Sequence, residues 1–153
     1  MDNFLDNGGK LKLGFKRGTE WYSAVNRTLL NSQWSHSAVA IECPDGWRLF
    51  ESAALKGSHG KAGVRDYLLT PDVADDFVWI DLGNADDQSA LERYEQVRGY
   101  GYDYASLLSF LPVWNVRDSK RLYCHELTLH MMGGYVKWRV TPEIILYQLT
   151  IRK

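Results

Sequence analysis

The sequence predicts one α+β domain in which an antiparallel sheet packs against helices. Three observations predict it. A β-hairpin is written around Pro44-Asp-Gly46, where proline presets the bend, glycine accepts positive φ, and the flanking runs are apolar, aromatic or alternating. Apolar residues also recur at helical spacing behind the capping residues Thr19, Asp103 and Thr141. Finally, the strand-like and helix-like segments follow one another without an internal repeat, a linker or a low-complexity tract, so a single core is the economical reading.

The elements follow in order. Residues 1–10 form a polar lead-in, read as flexible, and residues 11–153 form the domain. Leu11, Leu13 and Phe15 alternate with lysines, which predicts a first strand with one polar face. Thr19 caps a helix predicted over 20–30. The hairpin strands are predicted over 34–41 and 47–52. A turn centred on residues 43–46 sets residue 36 opposite about residue 52 or 53, so His36 and Glu51 return to the same end of the hairpin. A glycine-rich loop spans 55–63 and lacks the GxxxxGK[ST] pattern of a phosphate loop. A short strand over 64–69 ends at Thr70-Pro71, and 76–82 reads as a buried strand. A surface helix is predicted over 86–98 and a second over 103–111, stopped before Pro112. Residues 135–140 are strand-like, and Thr141-Pro142 opens a last helix, with proline at the first helical position.

Composition excludes several classes. A net charge of −1, from 18 basic and 19 acidic residues, gives no bulk electrostatic reason to bind nucleic acid. No apolar run approaches the roughly 18 residues of a membrane span. The first ten residues lack the basic start and apolar stretch of a secretory signal, so the expectation is a cytoplasmic product as encoded. Two cysteines are too few for a disulfide scaffold. Two free thiols in a reducing compartment are expected, with a single bridge left open.

The chemistry concentrates in Arg121-Leu-Tyr-Cys-His-Glu-Leu-Thr-Leu-His-Met-Met-Gly133. A helix predicted from Cys124 to about Met132, closed by Gly133, places Leu127, Met131 and Leu129 toward a core and the thiol in the first turn. Unpaired N–H groups and the positive dipole end favour a thiolate there, and the thiolate is the nucleophilic species. His36 is the candidate base and Glu51 the group that holds its other ring nitrogen. Against this stands the reading of Cys124 as a small buried apolar side chain. Among the other histidines, His125 points about 100° away from Cys124 on a helix, His130 lies toward the far end, and His59 sits in a loop with nothing to orient it. His125 and His130 are five residues apart, about 140° around a helix, so the stretch is not a zinc-binding HExxH. No metal or cofactor is expected. Cys43, before Pro44 in the turn, reads as structural or incidental.

Taken as a set, these motifs resemble the permuted papain-like group related to the NlpC/P60 peptidases, its YiiX/YebB-like branch. The marks are Ser35-His-Ser-Ala-Val-Ala-Ile41, Phe50-Glu-Ser-Ala53, Tyr102-Asp-Tyr104, Tyr123-Cys-His-Glu-Leu127 and Thr141-Pro142, spread over about residues 11–149. The resemblance implies a circularly permuted papain-like fold, with the histidine strand first and the cysteine helix late. It implies Cys124 as nucleophile, His36 as base and Glu51 as the third, polar member. The chain departs from the pattern twice. His125 stands where the group carries a small serine, a bulky ring expected to alter substrate access. Ser37-Ala38 replaces Val-Gly after the histidine, read as a packing variation.

The function implied is a cysteine amidase or peptidase acting on a small peptide, with bacterial cell-wall peptide as the leading substrate. A hydrolase or transferase of acyl lipids or thioesters is the alternative, with 100–114 as an aromatic acyl channel. A non-catalytic binding or virion-structural module on the same fold is the second alternative. For a wall substrate, the lack of a signal points to a recycling enzyme, a phage-encoded protein or an effector delivered by a secretion system.

Overall fold

The hairpin sets the frame of the molecule. In the computed structural model, which describes residues 10–19, 21–55, 60–83, 85–108, 120–134 and 140–151, strands β2 (His36–Cys43) and β3 (Gly46–Ala53) are joined by a two-residue turn at Pro44-Asp45. Gly46, at φ 117°, takes the conformation a side chain would resist. Three further strands extend the sheet: β1 (Leu11–Lys16), β4 (Gly63–Leu68) and β5 (Val78–Asp81). The order is β4-β3-β2-β1-β5, and every neighbouring pair is antiparallel. The six helices of the described residues are α1 (Trp21–Leu30), α2 (Pro71–Asp75), α3 (Asp87–Val97), α4 (Tyr104–Leu108), α5 (Cys124–Met131) and α6 (Pro142–Ile151). None is long and apolar enough to cross a membrane.

Alternation along the strands divides the core between the two faces of the sheet. Val39, Ile41, Phe50 and Val64 pack against Tyr94 and Val97 of α3 and Leu127 and Met131 of α5. The intervening Ala38, Ala40 and Leu49 pack with Phe77, Trp47, Tyr67 and Trp79 on the other side. At the C-terminal end of α5, Gly133 adopts φ 71° and the amide of Gly134 bonds the Leu129 carbonyl at 2.8 Å, stopping the helix where the sequence predicts.

Three elements differ from expectation, each for a positional reason. β1 has no polar face: it lies between β2 and β5, and Lys12 is only 3 % exposed, its ammonium 5.1 Å from the centre of the Trp47 ring. Gly14 in the same strand leaves room for the Trp79 ring, which a β-carbon would approach to 2.6 Å. The strand predicted as buried over 76–82 is instead the edge strand β5 of the described sheet, with Val78 56 % exposed, because among the described residues only β1 pairs with it. Thr70-Pro71, read as the end of a strand, starts α2, with Pro71 at the first helical position and Asp72 in the first turn. The helix predicted over 86–98 turns a buried side to the core through Ala90, Tyr94 and Val97. The lead-in over 1–9, the loop residue His59, the end of the helix predicted to 111, the acyl channel beyond 108 and the strand predicted over 135–139 lie outside the described residues.

Candidate active site

His36 is the first residue of β2, and Glu51 lies near the end of β3. The hairpin register pairs Val39 with Phe50, and its continuation puts residue 36 opposite residue 53, with Glu51 as its diagonal neighbour on the same face. The side chains meet: Nε2 of His36 is 2.7 Å from Oε2 of Glu51. β4 completes the arrangement. Arg65 is the direct cross-strand partner of Glu51, and its Nε and Nη2 donate to Oε1 at 2.9 and 2.7 Å. Tyr67, two residues on, donates its hydroxyl to the same oxygen at 3.2 Å. The carboxylate is buried, its side chain 7 % exposed. Burial pushes its pKa up, but hydrogen bonding and charge from His36, then charge and hydrogen bonding from Arg65, outweigh that and hold it at about 2.

Cys124 opens α5, as predicted. Tyr123 is the N-cap residue, and Glu126 reaches back to accept its backbone N–H at 3.3 Å. The Tyr123 hydroxyl donates to the Val140 carbonyl at 2.7 Å. The thiol is 2 % exposed. Burial alone would raise its pKa; charge from His125 and His36, then hydrogen bonding from each ring, pulls it well below the ordinary 9.0. Burial likewise opposes a charged His36, yet charge and hydrogen bonding from Cys124, then from Glu51, raise it to about 10. The electrostatics therefore favour a thiolate–imidazolium pair across the neutral range. Since Nε2 of His36 is held by Glu51, Nδ1 is the ring nitrogen left for the thiol side.

The structure thus brings together Cys124, His36 and Glu51, from three elements and 88 residues of sequence separation between the first two. Of the other histidines among the described residues, His125 lies beside Cys124 and His130 lies apart from the set. Nε2 of His130 bonds the Arg93 carbonyl at 3.1 Å. His125 is fully buried. Its Nδ1 lies 2.7 Å from the hydroxyl of Ser37. Ser37 is accordingly a hydrogen-bonding residue and not a packing variation. Cys43 and Cys124 are free thiols. Among the described residues, no group of three or more His, Cys, Asp or Glu is arranged to hold a metal ion.

A cavity of about 410 Å³ opens at His36 and Glu51, walled also by Arg65, Tyr67, Phe77 and Tyr102 among others. Tyr102 also packs in one apolar cluster with Cys124. Its hydroxyl is pushed well above the ordinary tyrosine value, by burial first and then by the charge of Cys124. The residues that sequence reasoning missed are Arg65 and Tyr67. Their signal was present, since alternation in the predicted strand over 64–69 puts them on one face, but only the pairing of that strand with β3 aims the face at Glu51. No protein-family model matches the chain, and no curated protein matches it.

Proposed function

We propose that the chain is a cysteine-dependent hydrolase that cleaves an amide bond, on a circularly permuted papain-like fold. The observation that carries this is the Glu51–His36 contact of 2.7 Å, with Cys124 held as a thiolate beside the same imidazole. The order of parts supports the fold reading: a histidine strand in the middle of an antiparallel sheet, followed late in the chain by a cysteine at the start of a helix packed on that sheet.

Each step then follows from the groups present. The substrate enters the cavity that holds His36, and its carbonyl reaches Sγ past Tyr102. The Cys124 thiolate attacks the carbonyl carbon, and the oxygen takes the resulting negative charge. Backbone N–H groups in the first turn of α5 accept that charge. The tetrahedral species collapses with cleavage of the C–N bond, and Nδ1–H of His36 gives its proton to the departing amine. A thioester between the acyl group and Sγ remains. Neutral His36 then takes a proton from water, the hydroxide attacks the thioester, and the acid leaves as the thiolate re-forms. Glu51 orients the ring and stabilises its charged form throughout, while Arg65 and Tyr67 keep Glu51 ionised and fixed.

The substrate class proposed is the short peptide of the bacterial cell wall, following the resemblance of the motifs. Purified protein incubated with muropeptides is expected to open a peptide amide, and Cys124→Ala to open none. Equal product from both proteins would overturn the proposal. Turnover of short acyl esters or thioesters without peptide cleavage would retain the chemistry and move the substrate to acyl lipids or thioesters.

A further inference from the structure

Ser37, His125 and Thr128 form a chain of hydrogen bonds in the interior. Ser37 Oγ lies 2.7 Å from Nδ1 of His125 and 2.9 Å from Oγ1 of Thr128, and Thr128 donates to the carbonyl of Cys124 at 3.0 Å. All three side chains are buried, at 0, 0 and 1 % exposure respectively. Each hydroxyl owns one proton, which fixes the direction of the chain. A carbonyl can only accept, so the Thr128 proton is committed to Cys124. Thr128 must then accept from Ser37, which commits the Ser37 proton. Nδ1 of His125 must therefore be the donor to Ser37. The other ring nitrogen, Nε2, is buried and has no hydrogen-bond partner among the described residues.

The chain joins two elements at the place where the candidate chemistry needs them joined. Ser37 follows the base, His36, in β2. His125 follows the nucleophile, Cys124, in α5, and Thr128 holds the carbonyl of Cys124 itself. We infer that His125 is a positioning residue for Cys124, its Nδ1–H locked onto the Ser37–Thr128 hydroxyl chain so that the first turn of α5 is held in register against the strand that carries His36. The two departures from the resembled pattern are then one feature, because the ring at 125 and the hydroxyl at 37 are each other's partner.

This inference rests on the reading of Cys124 as the nucleophile, and its test does not require a substrate. The first measurement is ¹⁵N NMR of the His125 ring in the unmodified protein. Nδ1 is expected to carry the proton at neutral pH; a ring protonated at Nε2 alone would overturn the inference. The second is the rate of Cys124 alkylation by iodoacetamide in a Cys43→Ser background. Ser37→Ala and His125→Leu are each expected to lower it about tenfold, and the double variant no further, because both break one chain. His125→Asn, whose amide N–H can occupy the Nδ1 position, is expected to recover most of the rate. Additive losses, or an Asn variant no better than Leu, would overturn it. A protein that passes these tests but hydrolyses no amide fails the functional reading and keeps this one; an amidase whose ring is protonated only at Nε2 does the reverse.

Discussion

Glu51 keeps its charge in a buried position because its two oxygens have separate partners. One holds the His36 ring; the other accepts from Arg65 twice and from Tyr67 once. Removing the guanidinium would leave a buried carboxylate supported mainly by the ring it is meant to orient. Arg65→Met is therefore expected to destabilise the fold by about 3–5 kcal/mol, the range for breaking a buried ion pair by deleting one partner. Urea unfolding at neutral pH measures it, and a loss below about 1 kcal/mol would show the pair to behave as a surface one. The sequence made two members of this array legible and hid the third. His36 and Glu51 are related by the arithmetic of one hairpin, whose turn is spelled by Pro44-Asp-Gly46. Arg65 is related to Glu51 only through the pairing of β3 with β4, across a glycine-rich loop whose length gives no register. The partner of His125 was hidden for a similar reason: helical geometry states which way a ring points from its axis, but not that Ser37 waits there.

At the scale of elements, α5 is the part on which the site depends. Cys124 through Leu129 and Met131 are all buried, so the helix is enclosed nearly all round, between the sheet and helices α3 and α6. Leu127 is fully buried and packs in the cluster that joins α3, α5 and the sheet. Leu127→Ala is expected to cost about 2–5 kcal/mol, as cavity-forming changes in cores do, and to be measured as a lowered urea midpoint with an unchanged slope. A loss under about 1 kcal/mol would mean that α5 is not anchored through this face. Both ends of α5 were legible, from Cys124 in the first turn and from Gly133 as the stop. The mis-assigned strands were those whose neighbours decide their burial. An alternating pattern implied one polar face for β1, but that face is covered, with Lys12 buried and its ammonium over the Trp47 ring; a continuous apolar run implied burial for β5, but its place at the edge exposes it.

At the scale of the whole molecule, the site ties stability to pH. Glu51 has a folded pKa of about 2 against an ordinary 4.5, so its contribution is fully present above 4.5 and is lost as pH falls toward 2. The raised His36 works in the opposite sense: its contribution is present below 6.5 and is lost as pH rises through about 10. Glu51→Gln removes the first dependence and one support of the second. Urea midpoints measured across pH are expected to fall less steeply in the variant than in the parent between pH 4.5 and 2; parallel curves would show that Glu51 is not the group responsible. No helix among the described residues is long and apolar enough to cross a membrane. Composition carries no information on substrate, which depends on a cavity whose walls come from four strands, two helices and several loops.

The central claim is that Cys124 is a thiolate paired with His36. Its most direct measurement is the rate of Cys124 alkylation by iodoacetamide against pH, in a Cys43→Ser background. The thiolate is the reacting form, so the profile reports the fraction ionised. The account predicts a rate already near its plateau at pH 7, with the plateau lost in His36→Ala. A single rise centred near pH 8.5, the value of an ordinary thiol, in both proteins alike would contradict it.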